Sequence, residues 1–227
     1  MEREKSSIKL NKNLCDRFKI LRIEVCGGIA SGKTTFAVLM KRTGFNTLLE
    51  NFQINPFLEA FYSNPIKFTF ETEISFILQH YHQIKKEQVN GKINICDFSF
   101  LLDLAYAQIG LQGTKLKAFY TIHDEIKRDL PTPALIVHLN CDPRIELRRI
   151  RSRGRSIEES INIEFLERLN KAVERQVKNA RGKLKVITID SAEKNFVDDE
   201  KVKQELMKFV SESLQENWER RIDRRIS

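Results

Sequence analysis

Apolar residues along this chain gather in short runs, most of which do not alternate with polar residues. Five runs have the composition of strands, namely FKILRIEVCGG, FNTLLEN, KINICDFS, ALIVHLNC and KLKVITIDS. Strands that are covered on both faces show this continuous apolar character, in contrast to half-exposed strands. The pattern therefore predicts a parallel sheet that is buried between two layers.

The segments between these runs have helical spacing. The longest, NPIKFTFETEISFILQHYHQIKKEQ, places apolar side chains three and four residues apart, at Phe70, Ile74, Ile77, Leu78, Tyr81 and Ile84. Further helices are predicted over SFLLDLAYAQIG, KLKAFYTIHDEIKRDL, DPRIELRRIRSRG, SIEESINIEFLERLNKAVERQVKNA and an amphipathic C-terminal segment. Alternating strands and helices predict an α/β fold with right-handed crossovers, in which ligands bind at the carboxyl ends of the strands.

Composition narrows the class of protein. The chain has 227 residues, 41% hydrophobic and 31% charged, which is typical of one globular domain. No apolar run approaches the roughly 18 residues of a membrane helix, and the charged N-terminus does not resemble a secretory signal. We expect a flexible leader over residues 1–18, a single domain over 19–216 and a basic end over 217–227.

Two further features of composition concern partners and compartment. The net charge of +8 suits an anionic partner such as a nucleotide or a nucleic acid. The four cysteines lack metal-type spacing, which predicts free thiols in a reducing cytoplasm. They are Cys15, Cys26, Cys96 and Cys141.

A phosphate-binding loop follows the first predicted strand. The stretch Gly27-x-x-x-x-Gly32-Lys33-Thr34 satisfies the G-x-x-x-x-G-K-[ST] pattern, with a strand before it and a helix after it. Backbone N–H groups of such a loop hold phosphate oxygens, the lysine reaches the β- and γ-phosphates, and the hydroxyl binds Mg²⁺. The expected ATP-binding residues are Gly27, Gly28, Ile29, Ala30, Ser31, Gly32, Lys33, Thr34 and Thr35.

Acidic residues end the second and third predicted strands. Glu50 could accept a proton from an attacking hydroxyl, and Asp97 could share Mg²⁺ with Thr34. Both could equally be ordinary polar residues at strand ends.

Arginines crowd the segment RRIRSRGRS after the fourth strand. Arg149, Arg153 and Arg155 lie around Gly154, which suits a lid that closes on the transferred phosphoryl group. A solvated basic face is the alternative interpretation, over which we favour the lid. Binding to nucleic acid is the least favoured, because no known nucleic-acid module and no interleaved aromatic residues accompany the cluster.

These pieces together resemble the deoxynucleoside kinase family, in particular its bacterial deoxyadenosine/deoxyguanosine kinase branch. The resemblance spans about residues 19–190. Its carriers are GGIASGKTT, ENFQINPFLEAFY, FETEISFILQHYHQI, CDFSFLLD, LPTPALIVHLN and RIRSRGRSIEESINIEFLERLN. It implies a P-loop NTPase-type, three-layer α/β/α fold with a five-stranded parallel sheet of order 2-3-1-4-5 and an Arg-rich lid.

The resemblance also implies roles for individual residues. Glu50 matches the family's general base for the 5′-hydroxyl of the nucleoside. Tyr62 and Glu158 match residues that contact the sugar 3′-hydroxyl, whereas Glu73 and Asp103 match residues that face the base. The catalytic set comprises Glu50, Lys33, Arg149, Arg153 and Arg155.

The activity that follows is ATP-dependent phosphorylation of a deoxynucleoside, for which we expect a purine. The products are the 5′-monophosphate and ADP, with Mg²⁺ as the cofactor. The family is usually dimeric through helices that flank the substrate site, so a homodimer is expected, with no membrane partner.

The match fails at two positions on the acceptor side. Where the family's third strand ends in an acid, an arginine and a hydroxyl residue, this chain has Asp97-Phe98-Ser99. Where the family carries an arginine seven residues after Glu73, this chain has His80, which can donate a hydrogen bond but whose charge depends on pH. An arginine restored at position 98 is therefore expected to raise activity.

Three outcomes fit this loss of positive charge. Arg148 or Arg151 could substitute, the acceptor could differ, or the chain could bind ATP but transfer its phosphoryl group slowly. A non-catalytic nucleotide-binding protein on this fold is a separate alternative, for which Phe98 argues. A nucleoside monophosphate kinase of the thymidylate kinase type shares the loop and the lid, but it would have no use for Glu50 as a base. These alternatives stay open on the sequence.

Overall fold

A computed structural model describes residues 21–87 and 93–226, with side chains to residue 217. The expected leader and Cys15 lie outside these ranges. Five parallel strands form one sheet in the order β2-β3-β1-β4-β5, which confirms the expected fold class. The strands are β1 Arg22–Gly27, β2 Asn46–Leu48, β3 Asn94–Cys96, β4 Leu135–Asn140 and β5 Val186–Asp190.

Helices connect the strands in the expected alternation. They are α1 Lys33–Met40, α2 Leu58–Ser63, α3 Pro65–Lys86, α4 Phe100–Gly110, α5 Gly113–Asp129, α6 Pro143–Arg153, α7 Ile163–Ala180 and α8 Glu200–Ile226. The last helix continues through the boundary expected at residue 216. Within the described ranges, no helix is long and apolar enough to cross a membrane.

The central strand shows how the three layers form. All six residues of β1 are buried, and the strand pairs with β3 on one side and β4 on the other. Successive side chains leave opposite faces of a strand. Ile23 and Val25 accordingly pack with residues of α1 and α8, whereas Cys26 packs with residues of α4 and α7. The sheet is thus buried on both faces, as its apolar runs predict.

Local signals fix where three helices begin near the carboxyl end of the sheet. Asn64 caps α3 by accepting from the Lys67 amide, and Ser99 caps α4 by accepting from the Leu102 amide. Asp142 caps α6 in the same way, because its carboxylate accepts the amide N–H of Arg144 at 2.7 Å. Such caps satisfy N–H groups that have no partner within the helix.

The cysteines that the structure describes follow the sequence-based expectation. Cys26, Cys96 and Cys141 are buried and carry free thiols. Burial raises the pKa of the Cys26 thiol to about 11, because the thiolate would lose its hydration there. These side chains therefore pack as small apolar groups.

Candidate active site

The phosphate-binding loop joins β1 to α1 in the expected geometry. Ala30 and Gly32 adopt left-handed backbone conformations, with φ of 60° and 98°. The ammonium group of Lys33 donates to the carbonyl oxygens of Gly27 and Gly28 at 3.1 and 2.8 Å. The lysine is thus held against the loop, at the N-terminus of a helix that favours anions.

A buried carboxyl group supports this loop from behind, and the sequence analysis missed it. A Cβ on Gly28 would lie 2.3 Å from both Glu146 Oε1 and Asn170 Oδ1, so any larger residue there would have to displace these two side chains. Asn170 donates to Glu146 Oε2 at 3.0 Å, while Glu146 Oε1 has no partner among the described residues. Burial raises the pKa of Glu146 to about 8. The available signal was an acid one turn before the buried Ile150 of α6.

One carboxylate connects the ends of three structural elements. Asp97, directly after β3, accepts the Thr34 hydroxyl at Oδ2 and the Glu50 backbone amide at Oδ1, both at 2.6 Å. Thr34 lies in the first turn of α1, and Glu50 follows β2. The parallel strands therefore bring the phosphate loop and the expected general base to the same edge of the sheet.

A cavity of about 740 Å³ opens at this edge. Of the expected nucleotide-binding, catalytic and substrate-binding residues, Gly27, Gly28, Ser31 and His80 are absent from its wall. Those that line it are Ile29, Ala30, Gly32, Lys33, Thr34, Thr35, Glu50, Tyr62, Glu73, Asp97, Asp103, Arg149, Arg153, Arg155 and Glu158. The phosphate loop lies at one end, and side chains from α2, α3 and α4 form the other.

A buried histidine lies between two acids beside the cavity. His80 Nε2 is 2.9 Å from Glu50 Oε1, and His80 Nδ1 is 3.0 Å from Asp103 Oδ2. Carboxylates only accept hydrogen bonds, so two such partners require a proton on both ring nitrogens. Burial would lower the pKa of His80, but the charge and hydrogen bond of Asp103, followed by those of Glu50, raise it to about 10. The ring is a cation.

This cation acts on Glu50 in return. The Glu50 side chain is 33% exposed. Burial would raise the pKa of Glu50, but the hydrogen bond and charge of His80, together with Lys33, lower it below its usual value. Glu50 is therefore an ionised acceptor at neutral pH, facing the same cavity as the phosphate loop.

The aromatic residue that breaks the family pattern packs on this histidine. The rings of Phe98 and His80 stack with centroids 4.1 Å apart and an interplanar angle of 4°. Phe98 is 1% exposed and does not line the cavity, so it is a packing residue. The positive charge expected to be missing from the acceptor side is supplied by His80.

The two arginines considered as substitutes lie elsewhere. Arg148 is exposed, and Arg151 donates to the carbonyl oxygens of Glu159 and Ile161 at 2.8 and 2.9 Å. Neither lines the cavity. That proposed compensation therefore does not occur in this structure.

The lid arginines are held by specific acceptors. Arg153 makes two hydrogen bonds to the Glu158 carboxylate, at 2.7 and 2.6 Å, and Arg155 lies over the Phe52 ring at 4.6 Å. Arg149 donates to the carbonyl oxygen of Ala30 in the phosphate loop at 3.2 Å. Its second contact is the Ser191 carbonyl oxygen after β5, at 2.8 Å. All three arginines thus line the cavity, and Arg149 contacts the phosphate loop itself.

The opposite end of the cavity combines aromatic rings with carboxyl groups. Phe76 and Tyr106 line it together with Glu73 and Asp103. Burial, followed by the charges of Asp103 and Glu50, raises the pKa of Glu73 well above its usual value, against the opposite effect of His80. Flat apolar surface beside a few polar groups is typical of a site for a small aromatic ligand.

Comparison with known proteins decides the family. The family described as deoxynucleoside kinase matches residues 23–215. The chain belongs to that family. This deoxynucleoside kinase is therefore a phosphotransferase that uses a nucleotide to phosphorylate a deoxynucleoside. The alternatives of a monophosphate kinase and of a non-catalytic relative give way to this assignment.

Two relatives align in sequence with most of this kinase. It is 29% identical over 183 residues to deoxyguanosine kinase of Bacillus subtilis strain 168, covering 77% of this chain and 88% of that protein. It is 28% identical over 206 residues to deoxyadenosine kinase of Dictyostelium discoideum, covering 84% and 82%.

Solved structures share the fold. Deoxyadenosine kinase from M. mycoides with bound dCTP superposes with a TM-score of 0.72 and 21% identity, over 85% of this kinase and 100% of that chain. The same M. mycoides enzyme with its products dCMP and a flexible dCDP gives a TM-score of 0.73 and 22% identity, with the same coverage.

Proposed function

We propose that the protein transfers the γ-phosphoryl group of ATP to the 5′-hydroxyl of a purine deoxynucleoside, producing the monophosphate and ADP. The supporting observation is that Glu50 faces the same cavity as the phosphate loop and is tied to Thr34 through Asp97. An ionised acceptor and a triphosphate site at one sheet edge are the two halves that such a transfer needs.

The donor half consists of the loop, Lys33 and two oxygen ligands. Backbone N–H groups and Lys33 would bind the β- and γ-phosphates of ATP. The Thr34 hydroxyl and the Asp97 carboxylate, 2.6 Å apart, are hard oxygen donors that suit Mg²⁺, which keeps most of its ligands as water and phosphate. When bound, Mg²⁺ neutralises charge on the phosphates.

The acceptor half is built around Glu50. In the reaction, a bond forms between the 5′-oxygen and the γ-phosphorus, the bond from that phosphorus to the β-bridging oxygen breaks, and the hydroxyl proton passes to Glu50. A carboxylate whose pKa is lowered by His80 is a weak base. Weakness is tolerable because phosphoryl transfer depends chiefly on position and electrostatics.

The lid supplies positive charge during the transfer. Arg149, Arg153 and Arg155 all line the cavity, and we assign them to the charge that spreads over the transferred oxygens. Glu158 orients Arg153 through two hydrogen bonds and also lies near Tyr62. Tyr62 and Glu158 line the same cavity, and we assign both to binding the sugar hydroxyl.

Three considerations support a purine as the base. The cavity is large, and its far end offers the rings of Phe76 and Tyr106 beside two carboxyl groups. The two relatives are named for deoxyguanosine and deoxyadenosine.

A direct assay tests the proposal. The purified chain with ATP and Mg²⁺ is given a panel of deoxynucleosides and deoxynucleoside monophosphates, and the nucleotide products are separated. We expect phosphorylated purine deoxynucleosides, and a loss of about 10²-fold or more in Glu50→Gln. Glu59→Gln is the matched control, because Glu59 is exposed and does not line the cavity. Product from monophosphates alone would overturn the proposal.

We also propose that the kinase is a homodimer. On α3, Leu78 is 45% exposed on a helix that forms part of the cavity wall, as helices at a dimer interface of this family would. Sedimentation should give twice the chain mass, and Leu78→Glu should shift the kinase toward monomer. A monomeric wild type would refute this point without affecting the catalytic proposal.

A further inference from the structure

A buried carboxyl–amide pair lies behind the phosphate loop, and the proposed phosphoryl transfer does not use it. Glu146 of α6 has no exposed surface, and Asn170 of α7 donates to its Oε2 at 3.0 Å. Glu146 Oε1 and Asn170 Oδ1 are also buried, but neither has a hydrogen-bond partner among the described residues. Because a buried oxygen without a donor is destabilising, both oxygens require an explanation.

These two oxygens lie beside the same point of the loop. A Cβ built on Gly28 would be 2.3 Å from each of them, so they are separated by no more than twice that distance. The Asn170 amide cannot be turned to bring its nitrogen between them. That nitrogen also donates to the carbonyl oxygen of Cys141 at 3.2 Å, and a turned amide would place an oxygen against that carbonyl.

A proton on Glu146 satisfies both oxygens at once. A neutral carboxyl group and a primary amide can pair through two parallel hydrogen bonds, one donated by the amide N–H and one by the carboxyl O–H. The first is the observed bond from Asn170 to Oε2. The second would join Glu146 Oε1 to Asn170 Oδ1. An ionised carboxylate has acceptors only, so it would leave both oxygens without a donor.

The charged and titratable groups that face Glu146 come from three helices. They are Lys33 of α1, Tyr106 of α4, and Cys141, Asp142 and Arg149 at the start of α6 and within it. Burial is the largest influence and raises the pKa of Glu146 to about 8, against the hydrogen bond of Asn170 and the charges of Lys33 and Arg149. The proton that the geometry requires is therefore retained at neutral pH.

We propose that Glu146 is a positioning residue for the donor nucleotide, that it shares one proton with Asn170 behind Gly28, and that loss of this proton weakens binding of the triphosphate. The inference rests on the proposed function, because its ligand is the triphosphate of the same loop. Gly28 connects the two sites, since its carbonyl oxygen accepts from the phosphate-binding Lys33 at 2.8 Å.

Two effects couple the proton to the triphosphate. An ionised Glu146 would place a negative charge behind the N–H groups that receive phosphate, where water screens it poorly. It would also leave two acceptor oxygens repelling each other against Gly28, which the loop could relieve only by moving. Because coupling is reciprocal, a bound triphosphate raises the proton affinity of Glu146. Affinity for the triphosphate is therefore highest below about pH 8 and falls above it.

The first test measures the Kd of ATP with Mg²⁺, without an acceptor, at about pH 7 and about pH 9. The Kd of wild type should rise about 3- to 10-fold between these values. Glu146→Gln keeps one donor and one acceptor but cannot ionise, so its Kd should change by less than about twofold. Glu164→Gln, which alters an exposed acid of α7, should follow wild type. Equal pH dependence in wild type and Glu146→Gln overturns the inference.

The second test detects the proton directly and needs no variant. Titration calorimetry of ATP with Mg²⁺ at about pH 8.5, in two buffers of different ionisation enthalpy, gives the number of protons taken up on binding. Wild type should take up about half a proton for each ATP bound. Binding without proton uptake defeats this inference and leaves the proposed function standing. If wild type binds no triphosphate at any of these pH values, the proposed function and the inference both fail.

A third measurement separates positioning of the loop from a merely structural role. Glu146→Leu fills the same space but cannot form the carboxyl–amide pair. It should raise KM for ATP by about tenfold or more at pH 7, with a much smaller change in KM for the deoxynucleoside. Glu146→Gln should restore most of the lost affinity. Equal changes in both KM values for Glu146→Leu would contradict a role at the phosphate loop.

Discussion

The imidazole ring of His80 lies flat on the ring of Phe98, with centroids 4.1 Å apart and planes 4° from parallel. The stack holds the imidazole edge-on to Glu50 and Asp103, which accept from its two nitrogens. A flat aromatic neighbour on one side and acids at both ends suit a planar cation. In this kinase, an aromatic–histidine pair thus stands at the two positions where the family resemblance implies arginines.

Phe98→Arg should destabilise the protein and lower its activity, contrary to the expectation from sequence alone. The new guanidinium would be buried among apolar side chains and beside a cationic ring. An uncompensated buried charge costs about 3–5 kcal/mol in unfolding free energy. Denaturant unfolding measures the loss, and Phe98→Leu, which keeps the site apolar, should lose much less. Higher activity in Phe98→Arg would mean that the stack is dispensable.

His80→Gln should make catalysis more sensitive to acid. In wild type, the His80 cation keeps the pKa of Glu50 below its usual value, so Glu50 stays ionised well into the acid range. Without that cation, burial dominates and the pKa of Glu50 rises. The acid limb of the pH profile of kcat/KM should therefore move to higher pH by about one unit or more. His82→Gln, an exposed histidine on the same helix, should leave the profile unchanged.

Glu146→Gln should gain stability relative to wild type as pH rises from about 5 to about 8. The folded state raises the pKa of Glu146 to about 8, so folding retains a proton that the unfolded chain releases above its ordinary value of 4.5. Wild-type stability from this group thus falls with rising pH, whereas glutamine does not titrate. The difference in unfolding free energy should change by about 1–3 kcal/mol over that range.

The control for this effect is Glu164→Gln, which alters an exposed acid in the first turn of α7. Its stability difference from wild type should stay constant between the same two pH values. A flat difference for Glu146→Gln as well would mean that Glu146 is ionised beneath the loop.

Arg153→Lys should slow turnover more than it weakens nucleoside binding. Lysine keeps the charge but cannot make the two parallel hydrogen bonds that Arg153 makes to Glu158. A misplaced charge at the transferred phosphoryl group should lower kcat by about 10- to 10³-fold. Steady-state kinetics checks this against Arg148→Lys, an exposed arginine outside the cavity, for which no change is expected.

The sheet and the phosphate loop could be predicted because their signals are local. A continuous apolar run such as ALIVHLNC places apolar side chains on both faces of a strand, so both faces must be buried. The residues from Gly27 to Thr34 specify an anion-binding turn within eight positions. The family resemblance then added a strand order that agrees with the structure. Contiguous patterns of this kind need no knowledge of long-range contacts.

The polar groups beside the cavity resisted prediction because they depend on contacts between elements. Phe98 and His80 are 18 positions apart, and nothing in the spacing shows that their rings meet face to face. Comparison with the family suggested a missing charge, whereas the structure supplies one through a shift in the pKa of His80. Glu146 escaped notice for the same reason, since its partner Asn170 lies in another helix.

The two oxygens of Asp97 bind different parts of the chain. One accepts from the hydroxyl of Thr34 in the first turn of α1, and the other accepts from the backbone amide of Glu50 after β2. Because both oxygens belong to one planar carboxylate, displacing one of them also displaces the other. If the donor nucleotide binds at Thr34 as proposed, we therefore expect its binding to shift the backbone at Glu50 through this one side chain.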